Sequence, residues 1–340
     1  MDLTGLPKIL EKEPRYRLQQ VKKNLYQDLI DDWSAATTLP LSLRGELKQN
    51  CPIGILAETF TSKDADTVKA LITLKDGLKI ETVLLCHKNA NPRNTICVSS
   101  QIGCPLGCCF CATGKMGFKR NLDSGEIIEQ VLFFARYLKE TNQKVTNIVF
   151  MGMGEPFLNY ENVLDAIRTL NDADGFNLGA RHFSISTVGL IEGIEKLADE
   201  KLQINLAISL NAPDDALRSK MMPINRKYPI DKVLRAVDKY IEKTRRRVML
   251  EYVMINDLND SEKAAQKLVK VTNRRLCFVN LIPYNPTGSF QPSFLRRIKK
   301  FKEILENGGV PVTQRYRFGR EISAACGQLA TKQLQTPASG

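Results

Sequence analysis

The chain has 340 residues, of which 43% are hydrophobic and 25% charged, and its formal net charge is +12. Such a composition belongs to a soluble globular protein able to bury a substantial core. The longest apolar runs, at 131–135 and 148–151, are too short to span a bilayer, and the N-terminal MDLTGLPKILEKEPRYR lacks the apolar run of a secretory signal, so a cytoplasmic location is expected.

In chain order, residues 6–47 carry a helical pattern, with Tyr16, Leu18, Val21, Leu25, Leu29 and Trp33 at helical spacing and a further helical run after Pro40. A small helical N-terminal domain over 1–62 is therefore expected. Residues 67–74 and 78–85 alternate as strands around Asp76-Gly77, a hairpin signal because glycine accepts the positive φ such turns need. This hairpin makes 63–92 a linker. Strand-like runs then appear at 95–100, 146–150, 182–187, 204–209, 248–254 and 278–283. Helical runs follow them at 124–141, 160–171, 190–199, 230–245, 261–271 and 293–307. Asp123 or Ser124 is the expected N-cap of the first of these, with Glu126 and Glu129 favouring its first turn. Six β-α units in succession predict an α/β core over 93–330 with a parallel sheet, doubly wound or curled into a partial barrel. In both, chemistry gathers at the carboxyl ends of the strands. The tail over 331–340 is expected to be disordered.

Basic residues cluster at Lys22-Lys23, Arg245-Arg246-Arg247, Arg274-Arg275, Arg296-Arg297 with Lys299-Lys300, and at Arg315, Arg317 and Arg320. The excess suits a polyanionic partner, nucleic acid before anionic membrane, although most single clusters read as solvated helix faces. Arg315-Tyr316-Arg317-Phe318 combines guanidinium groups with rings that could stack on bases. Lys119, Arg120 and Asn121 could hold phosphates or simply form a solvated loop.

Five of the nine cysteines fall within CVSSQIGCPLGCCFC, residues 97–111. A reducing compartment disfavours disulfide staples. Cys51, Cys86 and Cys277 stand alone and read as small buried hydrophobes. Cys104, Cys108 and Cys111 form C-x3-C-x2-C just after the first core strand. Structural zinc takes four protein ligands, and only His87 and His182 are available as histidines, while Cys109 would point elsewhere on a tight loop. A 4Fe–4S cluster given three cysteines keeps one iron open for an exogenous ligand. The incomplete set favours the cluster over zinc.

Together these motifs resemble a family. C-x3-C-x2-C after a first strand is the signature of radical S-adenosylmethionine (SAM) enzymes. IETV (80–83), CVSSQIGC (97–104), CATG (111–114), FMGMGEP (150–156), SISTVG (184–189), LIPYNP (281–286) and AACGQL (324–329), in this order, resemble the RlmN/Cfr branch of RNA adenine methyltransferases. The likeness covers nearly the whole chain. It implies a partial (β/α)6 TIM-like radical SAM barrel with a helical N-terminal domain and a β-hairpin linker. The implied reaction is methylation of C2 of one adenine in the peptidyl-transferase region of 23S rRNA, and of the adenine beside the anticodon in some tRNAs, using two SAM molecules and an S-methylcysteine. Alternatives are methylation at C8 of the same rRNA adenine, which confers antibiotic resistance, and a zinc-stabilised RNA-binding protein without catalysis.

The resemblance also assigns residues. Cys104, Cys108 and Cys111 would hold the 4Fe–4S cluster, with SAM at its open iron. Cys326 would carry the methyl group, a role that suits a thiolate because an unactivated aromatic carbon cannot itself displace the methyl of SAM. Cys97 would resolve the resulting crosslink through a transient disulfide, and Glu81 would accept the C2 proton. Gly154 and Glu155, Ser186, the stretch Ser209-Leu210-Asn211, and Asn285 would contact SAM. The family usually carries histidine where Asn211 stands; asparagine can hydrogen-bond but cannot titrate near neutral pH. The implied partners are 23S rRNA and tRNA, bound with help from the N-terminal domain, and a flavodoxin- or ferredoxin-type electron donor. A monomer free of membrane is expected.

Overall fold

A computed structural model describes residues 1, 3, 5–87, 92–272, 275–288, 290–315, 319 and 321–331. Arg274, Tyr316, Arg317, Phe318, Arg320 and the tail beyond Thr331 lie outside the described residues. The strands are β1 (Leu56–Thr61), β2 (Thr67–Thr73), β3 (Lys79–His87), β4 (Arg93–Cys97), β5 (Gln101–Gly103), β6 (Phe118–Asn121), β7 (Asn147–Phe150), β8 (Phe183–Thr187), β9 (Asn205–Ser209), β10 (Val248–Met254), β11 (Cys277–Pro283) and β12 (Val312–Gln314). The helices are α1 (Leu6–Leu10), α2 (Arg15–Lys22), α3 (Leu41–Asn50), α4 (Ala112–Lys115), α5 (Ser124–Lys139), α6 (Tyr160–Asn171), α7 (Ile191–Asp199), α8 (Asp215–Met221), α9 (Ile230–Thr244), α10 (Glu262–Thr272) and α11 (Leu295–Asn307).

Ten strands form one sheet in the order β1-β2-β3-β4-β7-β8-β9-β10-β11-β12, while β5 and β6 pair separately. Pairing is antiparallel from β1 to β4. From β4 through β12 it is parallel. Alternation decides which face each strand residue serves. In β8, Phe183 and Ile185 are buried in the main apolar core, which the crossover helices complete with residues such as Phe134, Ile167, Val237 and Leu268. The alternate position, Ser186, faces the opposite side. Helix α5 begins at Asp123, whose carboxylate accepts from the Glu126 amide while Glu126 reaches back, a reciprocal cap. Glu129 does not act in the first turn as expected; it is buried and accepts from the Met1 ammonium at 2.5 Å.

The N-terminal residues are helical but broken, because Pro14 and Pro40 precede and start separate helices and a π-turn over Lys23–Gln27 ends α2. They bury a core of their own, with Val21, Leu25, Trp33, Leu43, Leu47 and Cys51. Arg136 of α5 donates to the Ile30 and Ile53 carbonyls at 2.6 and 3.1 Å, fastening this unit to the main body. The hairpin β2–β3 continues the central sheet, and β1, exposed along much of its length, forms the edge beyond it.

Candidate active site

The carboxyl ends of the parallel strands surround an open cavity of about 160 Å³. Cys104, Cys108 and Cys111, around the turn between β5 and α4, form one wall. Gly154 and Glu155 follow β7, Ser186 lies on β8, Ser209 and Asn211 close β9, Glu251 lies on β10, and Arg315 follows β12. Cys326 reaches the cavity from the C-terminal segment. The glycines after β7 are needed for a reason nearer home than a ligand. A Cβ on Gly152 would stand 2.7 Å from the Val98 carbonyl, and one on Gly154, with φ of +101°, 2.6 Å from Gln101.

Burial pushes the Cys104 thiol up to about 12 and that of Cys108 well above its ordinary value, and the neighbouring Cys111 adds to both shifts. Structural zinc takes four protein ligands and, among the described residues, no histidine lines this cavity, whereas three cysteines suffice for a 4Fe–4S cluster with one open iron. Three neighbouring thiols on one cavity wall therefore fit a cluster better than zinc. Asn285 Oδ1 is buried without a partner, which fits a donor brought by a bound ligand.

The polar residues differ in how far the protein already employs them. Glu155 caps the turn Pro156–Asn159, accepting from the Phe157 amide at 3.1 Å and the Val188 amide at 2.9 Å, and burial pushes its carboxyl up to about 7. Asn211 has a φ of +59°, a left-handed conformation that asparagine tolerates better than most residues. Its Oδ1 accepts from the Val253 amide at 3.0 Å. Leu210 is fully buried, its amide donating to the Glu251 carbonyl and its own carbonyl accepting from Arg218; it is not brought to the cavity. Asn285 Nδ2 donates to the Cys326 carbonyl at 3.3 Å.

Glu251 was not anticipated, although a lone acid in the apolar run VMLEYVM is a visible signal. Its Oε2 accepts from Ser186 at 2.5 Å and from Ser209 at 3.1 Å. Arg315, which the sequence places in a basic, aromatic stretch, lines the cavity and donates to the Met151 sulfur at 3.6 Å. The nearby Cys326 charge is the largest influence raising its pKa.

Cys97 ends β4, and its carbonyl accepts from Thr82 at 2.9 Å. Burial, then the charge of Cys326, pushes its thiol up to about 12. Glu81, on β3, stands outside the cavity lining at 2% exposure. One of its oxygens accepts from Lys69 at 2.9 Å and the other from the Ala330 amide at 2.8 Å. Arg120 is engaged by Glu126 at 2.7 Å and Asp76 at 2.6 Å, so of the three residues 119–121, Lys119 and Asn121 stand exposed. Lys22, Arg275 and Arg297 likewise spend their charge on Asp172, Asp238 and the Asp257–Asp260 pair.

The model of the radical SAM superfamily matches residues 98–269. A probable dual-specificity RNA methyltransferase RlmN from Dictyoglomus turgidum is 45% identical, over 95% of this chain and 92% of that protein. A ribosomal RNA large subunit methyltransferase N from Nitrosopumilus maritimus is 44% identical over 93% of each. The crystal structure of a radical SAM methyltransferase from Sphaerobacter thermophilus superposes with a TM-score of 0.92 at 44% identity, covering 97% of both chains. On a parallel-sheet cavity walled by C-x3-C-x2-C, and with relatives of this closeness along its length, the chain belongs to the radical SAM superfamily and, within it, to the RlmN family of RNA methyltransferases.

Proposed function

We propose that this chain methylates C2 of an adenine in 23S rRNA and of an adenine in tRNAs, with Cys326 as the methyl-carrying thiol, Cys97 as the resolving thiol and Glu81 as the proton acceptor. The observation that carries the reading is the placing of two thiols: Cys326 at the cavity, and Cys97 buried in one apolar cluster with Ala324, two residues before Cys326, beside a wall of three further cysteines. Methyl transfer by direct displacement from SAM would need no second thiol. The relatives' names support RNA as the substrate.

Cys104, Cys108 and Cys111 would hold a 4Fe–4S cluster, and Gly154, Glu155, Ser186, Ser209, Asn211 and Asn285 would hold SAM, with Leu210 backing that wall from the core. When bound, these groups supply the methyl group and the radical that activates it, given an electron from a flavodoxin- or ferredoxin-type donor. The Cys326 sulfur holds the methyl carbon and then, through it, the base. Glu81 takes the C2 proton. Cys97 attacks the Cys326 sulfur to form an S–S bond, and the pair from the broken C–S bond leaves with the nucleobase carbon, which a proton completes to methyl. The target base must be unstacked to reach the cavity, which RNA loops allow at low cost.

Among the described residues no helix is long and apolar enough to cross a membrane. A cytoplasmic monomer whose helical N-terminal unit assists RNA binding completes the proposal. The test is anaerobic reconstitution with iron and sulfide, then reaction with SAM, a reductant and unmodified 23S rRNA or tRNA. Mass spectrometry of the digest should show 2-methyladenosine; 8-methyladenosine would move the site of attack, and a colourless zinc protein would overturn the reading.

A further inference from the structure

We propose that Lys69 is the positioning residue for the Glu81 carboxylate, fixing one oxygen so that the other faces the segment bearing Cys326. This rests on the reading of Glu81 as proton acceptor. Lys69 and Glu81 are diagonal neighbours on paired strands, since Lys69 faces Val83 and Leu71 faces Glu81 in the β2–β3 register. Both side chains are almost wholly buried, at 2% and 3% exposure, and their contact is 2.9 Å. Phe60, opposite Lys69 on β1, lies with its ring centroid 5.4 Å from the ammonium. The edge strand thereby roofs the cation, adding a cation–π contact.

A buried ion pair is a poor way to stabilise a sheet, because desolvating two charges offsets most of their attraction. Its geometry suits positioning better. The charge-assisted bond holds Oε1, while Oε2 accepts from the Ala330 amide at 2.8 Å, four residues beyond Cys326. The same segment is anchored elsewhere, through Thr113 to the Leu329 carbonyl at 2.7 Å and the Ala112 amide to the Gly327 carbonyl at 2.8 Å. A small shift at Ala330 would free Oε2 for a proton from a base seated beside Cys326, while Lys69 keeps the carboxylate in place.

The experiment compares Lys69→Met, Lys69→Arg and Glu81→Gln in the reconstituted holoenzyme. It measures kcat and KM for RNA, SAM cleavage in the absence of RNA, and the isotope effect with adenine deuterated at C2. Lys69→Met should lower kcat by about 100-fold, within the range a positioned base contributes. KM and uncoupled SAM cleavage should hold, and a C2 isotope effect should emerge as proton removal becomes limiting. Lys69→Arg keeps the cation and should restore kcat to within about tenfold; it also serves if Lys69→Met does not fold. Lys69→Met turning over normally while Glu81→Gln is inactive would overturn the proposal and leave the proton-acceptor reading intact. An active Glu81→Gln would overturn that reading first. Equal losses in Lys69→Arg and Lys69→Met, with no isotope effect, would reduce Lys69 to a structural role.

Discussion

Two buried glutamates, one in each half of the central sheet, are held in contrasting ways. Glu81, in the antiparallel flank, is paired with an ammonium and a backbone amide. Glu251, in the parallel half, has two serine hydroxyls on a single oxygen. A cation fixes a carboxylate strongly and in one place, whereas rotatable hydroxyls leave it able to share its donors with an incoming ligand. The contrast teaches that the flank is built to hold one acid still, and the parallel half to receive a polar cofactor.

The contrast can be broken or sharpened by substitution. The largest effect is expected from Glu81→Gln, which should lower turnover by about 10²–10⁴-fold with SAM binding unchanged, read as kcat alongside equilibrium dialysis of SAM. Glu251→Gln should do the reverse, weakening SAM binding by about 10–100-fold, the worth of a hydrogen bond to a charged group. If it instead spared SAM and cost only turnover, the two acids would not be divided as described. Ser209→Ala removes one of two donors, and titration calorimetry should show a loss of about fivefold, roughly 1 kcal/mol. The smallest effect is expected at Arg120, where cation and carboxylates meet at the surface rather than in the interior. Arg120→Ala should cost less than about 1 kcal/mol in denaturant unfolding.

Much of the parallel half was legible in the sequence, since buried strands and amphipathic crossover helices impose strict periods. The run 248–254 is β10 and 160–171 is α6, residue for residue. The flank was less legible. β1 is exposed along much of its length, so LAETFT carries no clear alternation, and β12 is only three residues long. The N-terminal pattern showed which residues pack but not the π-turn that breaks it. Of the site, the motif residues Cys104, Cys108, Cys111, Gly154, Glu155, Ser186, Ser209, Asn211 and Cys326 do share one cavity, while Leu210, Asn285, Cys97 and Glu81 do not line it. Glu251 stood out only as an acid among apolar neighbours. Lys69 could not be found from periodicity at all, because its partner lies twelve residues away across a turn, and only strand register brings them together.

The burial of Cys97 sets an order of events. A thiol held near 12 is almost entirely protonated at neutral pH and is a slow nucleophile. In the proposed reaction, bonding Cys326 to carbon removes one of the lesser influences holding Cys97 protonated, while burial, the largest, remains and Arg315 pulls the other way. If Cys326 carries the methyl group and Cys97 resolves the crosslink, as proposed, burial keeps the resolving thiol protonated in the resting enzyme.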